Sequence, residues 1–273
     1  MNSLMLNTDG VQIPQLGFGV WQIPGDRAEE TVRTAIEAGY RHIDTAAAYG
    51  NEEDVGRAVR SCGLPREKVF VTTKLWNADH GRAERAFDES LARLGLDHVD
   101  LFLIHWPVPK QDKYVQAWRA LEKIYRDGRA RAIGVSNFTV ETLTRLMDET
   151  DITPSINQIE LHPYLQQRDM RAFHEANGIL TEAWSPLGQG RGLLGDPALA
   201  VLSGKHGKTP AQIVLRWHLQ LGNVAIPKSA TPARIKENIN VFDFILDAED
   251  MAAMGALNRG LRLGADPHSF DMV

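Results

Sequence analysis

Eight times along this 273-residue chain, a short run rich in aliphatic and β-branched residues is followed by a longer stretch whose apolar residues recur at helical spacing. That alternation constrains the fold more than any other feature, because parallel strands joined by crossover helices produce it. The predicted strands cover Gln15–Gly19, Tyr40–Asp44, Val69–Lys74, Val99–His105, Ala130–Val135, Ser155–Ile159, Ile179–Trp184 and Val224–Pro227. The predicted helices cover Arg27–Ala38, Asn51–Ser61, Gly81–Leu94, Lys113–Asp127, Val140–Glu149, Arg168–Asn177, Pro210–Leu221 and Arg234–Asn240. Gly39, Gly128 and Gly178 stand where helix C-caps favour glycine, and Thr209-Pro210 with Gln212 makes a capping box. Leu4–Asn7 and Val11–Ile13 flank Asp9-Gly10, which predicts an N-terminal β-hairpin ahead of the repeating units. Eight strand–helix units in about 220 residues is the arithmetic of a (β/α)8 barrel. A doubly wound open sheet fits the same pattern. No Gly-, Ser- or Pro-rich linker divides the chain, so a single domain over residues 1–273 with a short C-terminal tail is expected.

Charge narrows the partners. Thirty Lys and Arg against 35 Asp and Glu give a net charge of −5, whereas nucleic-acid-binding domains usually concentrate basic charge. No apolar run approaches the ~18 residues of a membrane span, and Met1–Asn7 lacks the basic and apolar regions of a signal peptide. Cys62, the one cysteine, makes neither an intrachain disulfide nor a cysteine-based zinc site. Histidines occur without H-E-x-x-H or H-x-H spacing, so no metal is expected. These features predict a cytoplasmic monomer acting on a small molecule, with no nucleic-acid or membrane partner.

Barrel enzymes carry their chemistry at the C-terminal ends of the strands. Here successive predicted strands end in or run into Asp44, Lys74, His105, Ser136-Asn137, Gln158 with Glu160, Ser185, and Lys228. Seven polar strand ends describe one polar mouth. Asp44, Tyr49, Lys74 and His105 are the candidate catalytic set. An ammonium favours the phenolate, so Lys74 is expected to lower the pKa of Tyr49, with Asp44 fixing the lysine and His105 orienting a carbonyl oxygen or relaying a proton. Singly, each has a plainer reading: turn cap, edge aromatic, solvated charge, core histidine. Trp21, Trp76 and Trp106 follow strands beside this set and are candidate walls of an apolar substrate pocket, while Trp118 and Trp217 fall within helical patterns.

Gly190–Gly195 matches G-x-G-x-x-G but lacks the surrounding β-α-β unit, which favours a glycine loop over a dinucleotide fingerprint. Gly207-Lys208-Thr209 lacks the earlier glycine of a phosphate-binding loop and reads as a helix cap. Lys228 and Arg234, with Ser229, Thr231 and Asn238 nearby, suit a phosphate monoester, although they read equally as surface cations.

Six segments in this order, Gly39–Ala46 with Tyr49–Glu52, Thr73–Asn77, Ile104–Pro107, Ile133–Phe138, Asn157–Pro163 and Ile226–Ser229, make the chain resemble the aldo-keto reductases over nearly its whole length. Trp184–Gly190 and the short C-terminus resemble the bacterial 2,5-diketo-D-gluconate reductases in particular. The resemblance implies a (β/α)8 barrel that reduces aldehydes or ketones with NADPH, Tyr49 being the general acid and Asp44, Lys74 and His105 its support. It implies that Ser136, Asn137 and Gln158 hold the nicotinamide carboxamide and that Trp184 stacks on the ring. The loop Leu187–Gly195, with Ser185, Leu187, Gly188 and Gly190, would cover the pyrophosphate; Lys228, Ser229 and Arg234 would hold the 2′-phosphate, and Glu237 and Asn238 the adenosine end. Trp184 stands where many family members have Tyr, and Asp54 adds a negative charge near the mouth. A second reading is an NADPH-binding regulatory protein with little turnover. Only 45 residues follow Lys228, which predicts a pocket left open on the C-terminal side.

Overall fold

The computed structural model describes residues 4–8 and 10–273. It opens on an antiparallel hairpin of β1 (Met5–Thr8) and β2 (Val11–Pro14). Asp9, half of the predicted turn, lies outside the described residues, as do Met1, Asn2 and Ser3.

Eight strands follow: β3 (Phe18–Gly19), β4 (His42–Asp44), β5 (Phe70–Leu75), β6 (Val99–Ile104), β7 (Ala130–Ser136), β8 (Ile156–Glu160), β9 (Leu180–Trp184) and β10 (Val224–Ala225). Each pairs in parallel with the next. The ends of the sheet also meet. Gly17 N donates to Ala225 O at 2.9 Å, Ala225 N to Gln15 O at 2.9 Å, and Gly19 N to Pro227 O at 3.1 Å. This closure makes a barrel and removes both edges, so the open-sheet alternative is excluded.

The helices are α1 (Gly25–Ala38), α2 (Glu52–Ser61), α3 (Ala83–Leu94), α4 (Tyr114–Arg126), α5 (Val140–Glu149), α6 (Arg168–Ala176), α7 (Pro197–His206), α8 (Pro210–Gln220), α9 (Pro232–Asn238) and α10 (Ala248–Ala256). Two were not anticipated. α7 follows the glycine loop and has no amphipathic stripe, but Asp196 caps it and Pro197 takes its first position. α10 is capped by a box of Asp247 and Asp250. α9 starts two residues before the predicted Arg234, with Pro232 at its first turn. The first residues of the predicted third helix form a 3-10 turn, Asn77–Arg82. Gly56 lets α2 lie against the end of α3: a Cβ there would meet the Leu94 carbonyl oxygen at 2.0 Å, so no larger residue fits.

Side chains alternate along each strand, and this period of two sets the chemistry of the barrel interior. Its lower layer is apolar: Phe70, Leu101, Leu103, Ala132, Ile156 and Val224 cluster with Val11 and Ile13 of the hairpin, which plugs the N-terminal end. Two residues further along the strands the interior turns polar, with His42 bonded to Thr72 at 2.9 Å and Gln158 to Asp44 and Glu182. The alternate residues face the helices; Asn157 and Thr181 both bond His174 of α6. Trp118 and Trp217 are fully buried, as their helical positions predict.

Burial carries a pH signature. It pushes His42, His80 and His174 down to about 4 and His218 to about 3. A histidine depressed in the folded state contributes its full stability above its unfolded pKa, about 6.5, and loses it as pH falls towards the folded value. Thermal melts at successive pH values are therefore expected to show Tm falling steeply between about pH 6.5 and 4, as each of these histidines withdraws up to about 3 kcal/mol of stability at about 1.4 kcal/mol per pKa unit. A His218→Gln variant should show a shallower fall; a flat parental curve would refute the assignment.

Candidate active site

The C-terminal ends of the strands converge on one polar mouth. Asp44 ends β4, Lys74 lies near the end of β5, and His105 directly follows β6. Tyr49 arrives from the 3-10 turn Ala47–Tyr49. The Lys74 ammonium is fully buried and donates to Asp44 Oδ1 at 2.6 Å, Thr45 O at 2.9 Å and the Tyr49 hydroxyl at 3.4 Å. It also lies 5.0 Å from the Tyr49 ring centroid. The His105 ring packs edge-on against Tyr49 at 5.7 Å and against Trp76 at 5.5 Å. Asp44 and Tyr49 thus meet at one ammonium, and His105 joins them by packing against the Tyr49 ring.

Their protonation follows from burial and neighbours. Burial acts to lower Lys74, but Asp44, Tyr49 and Glu182 outweigh it and raise the lysine, which stays charged. His105 is held well below 6.5, first by burial and then by the Lys74 charge, so its imidazole is neutral near pH 7. Tyr49 departs from expectation. Lys74 does act to lower it, but burial is the larger effect and the phenol is raised above 10. The phenol therefore keeps its proton in the resting site.

Beside this set, Ser136 Oγ donates to Gln158 O at 2.9 Å, and Asn137 Nδ2 donates to His105 O at 3.0 Å. Asn137 Oδ1 accepts from Trp184 Nε1 at 2.8 Å. Gln158 Nε2 donates to Asp44 Oδ2 at 2.9 Å and Glu182 Oε2 at 3.0 Å, which turns Oε1 away from the carboxyls. Asn137 (φ +62°) and Ser185 (φ +50°) sit in the left-handed region at strand ends, where non-glycine residues are uncommon and concentrate at functional positions. Leu187, Gly188 and Gly190 follow in a loop of 3-10 turns tied to Ser185 Oγ by Gln189 Nε2 at 3.0 Å.

After β10, the neighbour of β9, Lys228 and Arg234 are exposed, and neither forms an ion pair among the described residues. Ser229 Oγ accepts from Thr231 N at 3.1 Å. Glu237 accepts from Thr209 Oγ1 at 2.9 Å, and Asn238 is buried. The two exposed cations, the half-buried Trp184 and the Gln158 amide, whose NH2 is taken by the two carboxyls, fit a phosphorylated dinucleotide with an amide-bearing ring. Asp54 adds little to the mouth, since Arg57 one turn along α2 pairs with it.

The expectation of an open C-terminal side is overturned. Glu160, at the end of β8, accepts from Leu263 N at 2.6 Å and Gly264 N at 2.9 Å. Burial opposes its ionisation, but the bonds from His162 and these two amides hold it below the usual carboxylate range. The tail passes so close to Trp184 that a Cβ on Gly264 would lie 2.4 Å from the indole. Phe270 stacks on Trp106 with centroids 4.2 Å apart, Met272 O accepts from Asn77 Nδ2 at 2.8 Å, and Asp271 pairs with Lys110 at 2.5 Å. A short tail suffices because residues 263–272 cross the mouth without forming a helix or strand. Trp106 is buried beneath it, Trp76 is half-buried beside His105, and Trp21 remains 44% exposed. Glu182 and His42, buried under the site, were not singled out from the sequence; strand parity, counted in twos from Leu180 and Asp44, was the signal.

Among the described residues no helix is long and apolar enough to cross a membrane. The family model for the aldo/keto reductase family matches residues 15–259. An aldo-keto reductase of Mycolicibacterium smegmatis is 54% identical, with 97% of each chain covered. Methylglyoxal reductase DkgA of Escherichia coli is 51% identical, with 96% of each covered. A variant of Gox0644, solved in complex with NADPH, superposes with a TM-score of 0.94 at 46% identity, covering 99% of each chain. The chain therefore belongs to the aldo/keto reductase family, and its barrel is the barrel of that family.

Proposed function

We propose that this protein is an NADPH-dependent reductase of small aldehydes and ketones, with α-oxoaldehydes such as methylglyoxal as the first class to test. The observation that carries this reading is the buried Lys74 ammonium, bonded at once to Asp44 and to the Tyr49 hydroxyl. NADPH, when bound, supplies the hydride that the carbonyl carbon takes up. Tyr49 gives its hydroxyl proton to the carbonyl oxygen as negative charge develops there, so the product is the alcohol and the enzyme is left with a phenolate. Lys74 stabilises that phenolate through space and through its hydrogen bond, and Asp44 holds the lysine in place. Neutral His105 donates a hydrogen bond to the same oxygen and orients it; it has no proton to spare for transfer. Trp76 and Trp106 give the carbonyl's substituents an apolar wall. The methylglyoxal reductases at 51% identity support the substrate class.

Ser136, Asn137 and Gln158 would bind the nicotinamide carboxamide, with Gln158 Oε1 accepting from its NH2. Trp184 would stack on the ring, residues 185–190 would close over the pyrophosphate, and Lys228, Ser229 and Arg234 would hold the 2′-phosphate. Glu237 and Asn238 would bind the adenosine end. Oxidation of NADPH followed at its own absorbance, across α-oxoaldehydes, simple aldehydes and keto sugars, tests the reading; no turnover with any of them would refute it. In titrations by fluorescence quenching, NADPH is expected to bind far better than NADH. Lys228→Ala and Arg234→Ala should each weaken NADPH binding by about tenfold to a hundredfold, the worth of one charge-assisted hydrogen bond. They should leave NADH binding nearly unchanged, and an equal loss for both nucleotides would refute the 2′-phosphate assignment.

A further inference from the structure

Beneath the proposed tetrad lies a second buried carboxyl that the mechanism above does not use. Glu182, on β9, is fully buried and points into the barrel at the level of Gln158. Its Oε2 accepts from Gln158 Nε2 at 3.0 Å, and the other hydrogen of the same NH2 group goes to Asp44 Oδ2 at 2.9 Å. Glu182 Oε1 has no hydrogen-bond partner among the described residues. One amide thus bridges two carboxyls, only one of which has a cation: Lys74 bonds Asp44, not Glu182.

The other groups facing Glu182 do not supply a second positive charge. His42 Nε2 on β4 comes within 3.8 Å of Glu182 Oε1. Its ring is committed to Thr72 and Pro14 O, and it is neutral near pH 7 because burial depresses it to about 4. β10 contributes Val224 at the paired position. An ionised Glu182 would be a buried, uncompensated charge, which is far costlier than a buried neutral carboxyl.

We infer that Glu182 is a positioning residue for the reduction, a carboxyl held neutral at working pH, whose ionisation would add a second negative charge beneath Asp44 and weaken Tyr49 as an acid. The inference rests on the reductase reading. Burial, with Asp44 next, pushes Glu182 up to about 8, and its charge raises both Tyr49 and Lys74. Below that pH the pair Asp44–Lys74 is electrically balanced and the phenol gives up its proton most readily. Above it the extra charge holds the proton on Tyr49. Throughout, the two carboxyls hold the Gln158 amide by its NH2 group, which leaves Oε1 outside the bridge.

Glu182→Gln keeps the shape and removes the titration. The ratio of variant kcat to parent kcat for methylglyoxal reduction, measured from about pH 6 to about pH 10, is expected to rise as pH passes the Glu182 titration, by a few-fold and at most about tenfold, the ceiling for one pKa unit in the general acid. A ratio independent of pH overturns the inference. Infrared difference spectra of the parent between about pH 6 and about pH 10 should lose a protonated-carboxyl carbonyl band, and Glu182→Gln should lack that change. Absence of the band in the parent also overturns the inference. A parent that turns over no carbonyl sinks the reductase reading alone, because the infrared result still decides the state of Glu182.

Discussion

Replacing Tyr49 with phenylalanine will lower NADPH-dependent turnover of methylglyoxal by about a hundredfold to ten-thousandfold, the worth of a positioned general acid, while leaving NADPH affinity largely intact. The substitution removes one oxygen and keeps the ring. Its edge-on packing against His105 at 5.7 Å and its place 5.0 Å from the Lys74 ammonium survive. Lys74 keeps Asp44 at 2.6 Å and the Thr45 carbonyl at 2.9 Å, so the site stays assembled. What disappears is the hydroxyl proton held beside the buried Lys74 ammonium. His105 is no substitute, because burial and Lys74 hold its ring neutral. Steady-state kinetics paired with an NADPH titration separate the outcomes. Near-parental turnover in the variant would refute the role given to Tyr49. Tight NADPH binding by the parent with negligible turnover on every carbonyl would instead favour the regulatory, redox-sensing reading.

Much of this site was legible because strand ends and inward parity are properties of the sequence. Asp44, Lys74 and His105 lie at or beside the ends of their strands, so the barrel geometry brings them to one rim however far apart they lie in the chain. Tyr49 is less constrained, since it lies on a 3-10 turn, and only its nearness to Asp44 in sequence and the family resemblance pointed to it. The direction of its titration was not legible. The sign of the Lys74 effect follows from charge alone, but the larger effect of burial depends on how closely the surrounding rings pack. The tail misled for a related reason. Its length is readable, but the contacts that bring it across the mouth, Glu160 to the Leu263 and Gly264 amides and Phe270 to Trp106, join residues about a hundred or more positions apart. The helix Pro197–His206 was hidden because its exposed Ala200 and Val201 are apolar like its buried Leu199 and Leu202, so it shows no periodic stripe, and only the Asp196-Pro197 cap marks its start.

Lys74→Met will cost both activity and stability, and a second substitution will restore only the stability. Lys74 and Asp44 are essentially unexposed, at 0% and 1%, and their bond is 2.6 Å long. Removing the lysine leaves the Asp44 carboxylate buried beside neutral partners, with a second carboxyl, Glu182, linked to it through Gln158. Breaking one side of a buried ion pair typically costs about 3–5 kcal/mol, which for a chain of this size lowers Tm by about 10 °C. Asp44→Asn placed in the Lys74→Met background removes the stranded charge, since the asparagine oxygen still accepts from Gln158, and Tm should recover most of the loss. Turnover should not recover, because no ammonium then stands by to stabilise the Tyr49 phenolate. Thermal melts and kcat measured on both single variants and the double variant form a cycle with distinct signatures. If the double variant regains activity with its stability, Lys74 serves only as the counter-ion of Asp44. If Lys74→Met alone keeps its Tm, the pair is not a buried electrostatic unit. Recovery of the fold without recovery of turnover is the result that would tie the ammonium to proton transfer from Tyr49.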